Sequence, residues 1–234
     1  EGRWIVDGET IILDRDGLLR NGHHRLEAAL AISKPLRTAI AIGVDPLAVL
    51  VMDGGLARNA GDALKFAGRE LPYATVLAAA ARAEIVYSKF PVAGQRTGAL
   101  GSLVHIDNAE IIAFLDNHPD FAAGVVKTAA NKTRLGPLGH VSTLGFLIGH
   151  LYQAQQATMA DLFLDQVVKG DGLAASSPVL ALRNKLLADR HSSKKLPEIH
   201  IVAFMLKAWN AFWMEKPMLV LRWQPDEPFP QILP

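Results

Sequence analysis

Apolar positions along the first part of the chain come in short, turn-bounded runs. Trp4-Ile5-Val6 is closed by Asp7-Gly8, and Thr10-Ile11-Ile12-Leu13 is β-branched and strand-like. Asp14-Arg15-Asp16-Gly17 reads as a turn, from which Leu18-Leu19-Arg20 pairs back as a hairpin. Asn21 to Ala31 then has helical spacing, with Asn21 or Gly22 as cap and Leu26, Ala29 and Leu30 as the buried face. Pro35 ends it, and the apolar stretch Leu36–Ile42 reads as a covered strand. Asp45-Pro46 opens a second helix running to about Met52, and a third spans about Asn59–Ala67.

Beyond Leu71 the pattern changes to helical periodicity. Pro72–Lys89 is Ala-rich and helical, and Phe90–Leu103 is a Gly-containing loop. Asp107 caps a helix over Asn108–Asn117, and Pro119 separates it from Phe121–Ala130. Asn131–Gly139 is a polar, basic connection. Further helices are expected over Val141–Gln155, Met159–Val168, Pro178–Arg190 and Pro197–Lys216. Leu219–Trp223 is the one late strand candidate, and the Pro-rich tail Gln224–Pro234 is expected to lie extended against the body. The chain therefore reads as α+β: a small mixed sheet-and-helix domain over 1–68, then a larger all-α domain over 69–234.

Composition narrows the functional classes. Half of the 234 residues are hydrophobic, which supplies a core and rules out disorder. Lys plus Arg is 24 against 23 Asp plus Glu, so a polybasic protein is excluded but a local basic patch is not. The lack of cysteine removes disulfides, thiolate catalysis and cysteine-ligated metals, and fits a cytoplasmic setting. No apolar run reaches membrane-spanning length, so no membrane partner is expected. The opening Glu1-Gly2-Arg3-Trp4 has no signal-peptide pattern, and the absence of an initiator Met points to a fragment or a processed chain.

The most chemical stretch is Asn21-Gly22-His23-His24-Arg25 between a strand and a helix. Backbone N–H groups at a helix start lack intrahelical partners, and the macrodipole adds positive charge there. Gly22 admits a ligand close to the backbone, Arg25 offers a bidentate fork, and His23 and His24 donate or carry a proton near neutral pH. The residues read equally as an ordinary helix start with surface histidines.

Asp16-Gly17-Leu18-Leu19-Arg20-Asn21-Gly22-His23-His24-Arg25-Leu26-Glu27-Ala28-Ala29 resembles the signature of the ParB/sulfiredoxin superfamily: strand, Gly-x-His/Arg-Arg turn, helix with small residues. It is most similar to phage and actinobacterial proteins with a ParB-like N-terminal domain, in which a Gly-Arg-Trp segment precedes the hairpin and an Asp-x-Gly-x-x-Arg stretch follows the turn. Gly2-Arg3-Trp4 and Asp53-Gly54-Gly55-Leu56-Ala57-Arg58 stand in those places, and the resemblance covers about residues 2–68. It extends to the end of the chain, Leu221–Pro230. The resemblance implies a turn that binds nucleotide phosphates, ATP or CTP with Mg²⁺, and Gly22, His24 and Arg25 carry over by motif; Asn21 and His23 join them as binding candidates by position in the turn, and Arg58 as a second clamp from the following turn. His23 stands where sulfiredoxin has its Cys, so sulfinic acid reduction is excluded. His23-His24-Arg25 is nearer the Gly-His-His-Arg of the free serine kinases.

Catalytic candidates are His23, Glu27 and Asp53. Glu27 is either a base beside the phosphate or a solvent-exposed helix residue. Asp53 either holds Mg²⁺ or orients Arg25, or else caps a helix end. The remaining histidines, His105, His118, His140, His150, His191 and His200, lack close ligand spacing, so no metal site is expected. Between Leu182 and Lys216 seven Lys/Arg face three Asp/Glu. Arg183, Lys185, Arg190, Lys194 and Lys195 are thus a candidate nucleic-acid-binding segment, expected to be solvent-exposed, with Asn131-Lys132-Thr133-Arg134 as a second basic loop. The competing reading is a solvated helix face with cations at a helix C-terminus. Trp209, Phe212 and Trp213 form a stripe that reads as core rather than a base-stacking platform. The expected function is nucleotide or phosphate binding in phage or mobile-element DNA metabolism or modification. Nucleotide, DNA and a second copy of the chain are the candidate partners. The alternatives are a nucleotide-dependent kinase or hydrolase using the same turn, and an inert DNA-binding or interaction protein.

Overall fold

The computed structural model describes residues 10–50, 61, 64, 71–89 and 106–233. Backbone contacts divide the chain into two compact units, Glu1–Arg58 and Asn59–Pro234. The fold is α+β, with a small three-stranded sheet in the first unit and a larger helical part in the second.

In the first unit β1 (Thr10–Asp14) pairs antiparallel with β2 (Leu19–Asn21) and parallel with β3 (Ala39–Val44), giving the order β2-β1-β3. The β1–β2 reversal is built around Asp14. Its buried carboxylate accepts the N–H groups of Asp16 at 2.9 Å and Leu18 at 2.8 Å, and the Arg20 Nε–H at 2.5 Å. Burial would raise this carboxyl, but those donors outweigh it and hold it below its ordinary value. Gly17, at φ 80°, completes the turn. Helix α1 (His23–Ala31) follows β2 directly.

Burial in this unit departs from expectation. Among the described residues Ile11 and Ile12 of β1 are its buried apolar side chains, whereas Leu30, Ile40 and Ile42 are exposed. Helix α1 has no buried residue, so the expected face of Leu26, Ala29 and Leu30 is not a core face. Leu36–Ile42 is likewise not a covered strand. β3 starts at Ala39 and, among the described residues, is an edge strand that pairs only with β1. The segment after Asp45 is a single 3₁₀ stretch, Pro46–Leu50, started by the Leu47 N–H on the Asp45 carboxylate at 2.9 Å. Trp4–Val6 lies outside the described residues. So does the expected helix over Asn59–Ala67, except for Gly61 and Leu64, which are helical.

The second unit contains α2 (Ala74–Lys89), α3 (Asn108–Asn117), α4 (Pro119–Ala130), α5 (Lys132–Leu135), α6 (Val141–Gln153), α7 (Ala157–Lys169), α8 (Pro178–His191) and α9 (Glu198–Trp213). Their boundaries follow capping chemistry. The Asp107 carboxylate accepts the Glu110 N–H at 2.7 Å, and Ser177 Oγ accepts the Leu180 N–H at 3.4 Å. Pro119 and Pro178 occupy first-turn positions. Helix α6 is the centre: Leu147, Ile148 and Leu151 are fully buried, each side chain worth about 1.5–3 kcal/mol relative to exposure. It meets α4 through two glycines. A Cβ on Gly124 would lie 2.9 Å from the Ile148 carbonyl oxygen, and one on Gly149 would lie 2.8 Å from the Phe121 ring. Trp209 is fully buried and stacks on Trp213 at 5.8 Å, while Phe212 and Trp213 are half-buried, so the stripe is core at Trp209 and reaches the surface at its end.

Leu219–Trp223 forms no strand, because no described strand of this unit offers it a ladder. The tail instead lies extended against the helices. Asn210 Nδ2 donates to the Gln231 carbonyl at 2.7 Å, and the Ile232 N–H donates to the Tyr87 hydroxyl at 3.0 Å. No helix among the described residues is long and apolar enough to cross a membrane.

Candidate phosphate-binding turn

The β2–α1 junction has the backbone of an anion-accepting helix start. Gly22 is the N-cap residue at φ 99° and ψ 7°, a left-handed conformation that a side chain would strain. A Cβ there would also lie 2.7 Å from Ile11 Cγ1, so only glycine fits against β1. The helical ladder begins with the Leu26 N–H on the Gly22 carbonyl at 3.0 Å, and the N–H groups of His23, His24 and Arg25 precede it. No side chain caps this end, and the first turn carries no acid. Asn21 Oδ1 takes the Gly22 N–H at 2.8 Å, so this side chain shapes the loop rather than capping the helix. An uncapped start behind a close-packed glycine fits a phosphate group.

The side chains divide their allegiance. His23 and His24 are exposed, and both reach Glu27: His23 Nε2 lies 3.1 Å from Oε1, and His24 Nδ1 lies 3.4 Å from Oε2. Glu27 is thus the exposed partner of two imidazoles one turn earlier, and a bound anion would compete with it for the same donors. Arg25 is half-buried, with its Nη1 shielded from solvent. Asp53 and Arg58 lie outside the described residues.

The basic segment is not uniformly solvent-exposed. Arg183 is half-buried and its Nη1 donates to the Val167 carbonyl. Lys185 is half-buried with its ammonium 5.0 Å from the centroid of the Phe204 ring. Lys195 places its ammonium on the terminal carbonyls of α8, 2.8 Å from that of Asp189 and 2.6 Å from that of Arg190. That is the cation-at-a-helix-end arrangement. Arg190, Lys194 and Lys195 are exposed, as expected.

Two buried carboxylates went unnoticed in the sequence. Glu84 of α2 lies 3.0 and 3.1 Å through its two oxygens from His150 Nδ1 of α6, and accepts the Ser88 hydroxyl at 2.9 Å. Asp189 of α8 takes the Leu196 N–H at 2.6 Å and lies 3.2 Å from His140 Nε2. Burial would raise the Asp189 carboxyl, but the Leu196 N–H, His140 and Lys195 outweigh it and leave it below its ordinary value. For Glu84, a lone acid on the Ala-rich helix α2 was the available signal; Asp189, among Arg183, Lys185 and Arg190 on α8, carried none. No group of three or more His, Asp or Glu residues able to hold a metal occurs among the described residues. Comparisons with protein-family models, curated proteins and solved structures found no match for this chain.

Proposed function

We propose that the β2–α1 turn binds the phosphate of a nucleotide, ATP or CTP with Mg²⁺, and that the protein serves phage or mobile-element DNA metabolism or modification. The observation that supports this reading is the uncapped start of α1 behind Gly22 at φ 99°, flanked by His23, His24 and Arg25. It agrees with the ParB/sulfiredoxin-like pattern of the same residues. A phosphate there takes the N–H groups of the first turn and draws the imidazoles away from Glu27. A phosphotransferase or hydrolase reading draws on the 3.1 Å His23–Glu27 contact, a carboxylate-oriented imidazole beside the same turn.

Isothermal titration with ATP, CTP and their diphosphates, with and without Mg²⁺, tests the binding. Arg25→Ala is expected to weaken affinity roughly ten- to a hundredfold, the loss of a charge-assisted pair worth about 1.5–3 kcal/mol. Arg25→Lys is expected to recover only part, because a point charge lacks the fork. Melting temperatures recorded in parallel separate lost binding from lost packing of the half-buried side chain. Full affinity in a folded Arg25→Ala protein would make the turn a scaffold. Mg²⁺-dependent phosphate release abolished by His23→Ala would establish the catalytic reading.

A further inference from the structure

The segment after Trp223 is held the way a groove holds a peptide. Pro225, Pro228 and Pro230 fix φ along it, and the residue before each proline is driven to extended backbone. A chain of this kind leaves its N–H and C=O groups to be read by side chains. Asn210 of α9 reads two of them: its Nδ2 donates to the Gln231 carbonyl at 2.7 Å, and its Oδ1 accepts the Leu233 N–H at 3.1 Å. Tyr87 of α2 takes the Ile232 N–H between them at 3.0 Å. Trp223 Nε1 donates to the Pro228 carbonyl at 3.3 Å, and Lys207 Nζ lies 3.0 Å from Glu227 Oε2.

The groove stands without the segment it holds. Tyr87 is buried and meets the rings of Phe146 and His150 edge-on, at 5.4 and 5.6 Å. Trp223 is buried with its ring 5.1 Å from that of His200, and Leu221 is buried beside it in sequence. The segment itself is lightly anchored. Within 228–233 Phe229 is the buried residue, its ring edge-on to Trp223 at 5.6 Å, and Pro228 and Gln231 are exposed. It is reached through a turn in which the Glu227 N–H donates to the Gln224 carbonyl at 2.9 Å, and all four turn residues are exposed. Opening that turn frees 228–233 as one piece, for the loss of one buried side chain. Such a segment belongs to the low-stability end of a structure.

We propose that residues 228–233 exchange between two copies of the chain, each seated in the α2–α9 groove of the other. A second copy carries the sequence that this groove already fits. Exchange keeps every contact to Tyr87, Asn210, Lys207 and Trp223 and alters the turn at 224–227. In a reciprocal pair the second engagement is intramolecular once the first has formed. The proposal does not draw on phosphate binding at the Gly22 turn, which lies in the other unit.

Two full-length variants separate groove from segment. F229A keeps the groove and spoils the segment, whereas Y87F/N210A keeps the segment and spoils the groove. Sedimentation velocity is expected to show monomers for each variant alone and a paired complex in the mixture, with Kd on the order of 0.1 mM for so short a segment. In a second arm, deleting Pro225 and Asp226 shortens the turn so that the segment cannot return to its own groove. That chain is expected to dimerise, and to become monomeric again when F229A is added. Circular dichroism confirms that each variant is folded. A mixture of folded variants that stays monomeric overturns the proposal. So does a folded shortened chain that is monomeric at every concentration, or one that associates equally well with F229A.

Discussion

Adding one methyl group at Gly124 should separate the two helices that hold the second unit together. A Cβ there would meet the Ile148 carbonyl oxygen at 2.9 Å, Gly149 Cα at 3.0 Å and Tyr152 Cγ at 3.0 Å. Two of these three are backbone atoms of α6, which cannot rotate away. Replacing Gly by Ala inside a helix gains about 1 kcal/mol of propensity, while overpacking a close-packed interior costs about 1–3 kcal/mol. With backbone as the obstacle the upper figure applies, so Gly124→Ala is expected to destabilise by about 2 kcal/mol. At about 2–4 °C per kcal/mol for a unit of this size, the melting temperature falls by roughly 4–8 °C. Gly149→Ala meets the ring of Phe121 at 2.8 Å and Val125 Cγ2 at 2.9 Å, both fully buried side chains, and should cost about 1 kcal/mol. Gly145→Ala meets Val125 Cγ1 at 3.3 Å, and Ala80 Cβ and Val125 Cα at an ordinary 3.9 Å, so propensity offsets the crowding to within about 0.5 kcal/mol. Denaturant unfolding and thermal melts by far-UV circular dichroism read the series. Because positions 124 and 149 touch, the double variant should lose less than the sum of the singles. A Gly124→Ala protein as stable as the parent, or a Gly145→Ala protein that is the weakest of the three, would refute the reasoning.

Asp189 titrates below its ordinary value when folded, so its contribution is present above the unfolded pKa of about 3.9 and is lost as pH falls through the lower folded value. Asp189→Asn should therefore lower stability at neutral pH and narrow the gap to the parent in strong acid, read by denaturant midpoints at both pH values. Tyr87→Phe removes the hydroxyl that accepts the Ile232 N–H at 3.0 Å. It should cost about 1 kcal/mol and speed proteolytic cleavage between Gln224 and Leu233, with the rest of the unit cut at the parental rate.

The helical unit was largely legible in the sequence because local chemistry marks its boundaries. Asp107, Pro119, Ser177 and Pro178 start helices in the structure where their capping and φ preferences place them. The hairpin around Asp14 and Gly17 was legible for the same reason. What failed depended on distant partners. Among the described residues Leu219–Trp223 has strand composition but no neighbouring strand, and Ile40 and Ile42 lie on an edge strand, which no local rule reads. In the candidate site the glycine turn was legible, but the grip of Glu27 on both histidines was not weighed. His140 and His150 carried no signal in their spacing, since their partners Asp189 and Glu84 lie 49 and 66 residues away. The division of the basic residues, Arg183 and Lys185 half-buried in the packing and Arg190, Lys194 and Lys195 exposed, with Lys195 turned onto the α8 carbonyls, likewise required the helix ends to be placed.

The two helices that meet through bare backbone also decide which kind of mutagenesis can see their crossing. At Gly124 and Gly149 there is no side chain to remove, and the atoms facing Gly124 include the Ile148 carbonyl oxygen and Gly149 Cα. A truncation scan of α4 and α6 therefore reads the rings of Phe121 and Tyr152 but passes over the backbone contact between them. Only substitutions that add atoms report on it, so a map drawn from alanine alone would leave the middle of this helix pair blank.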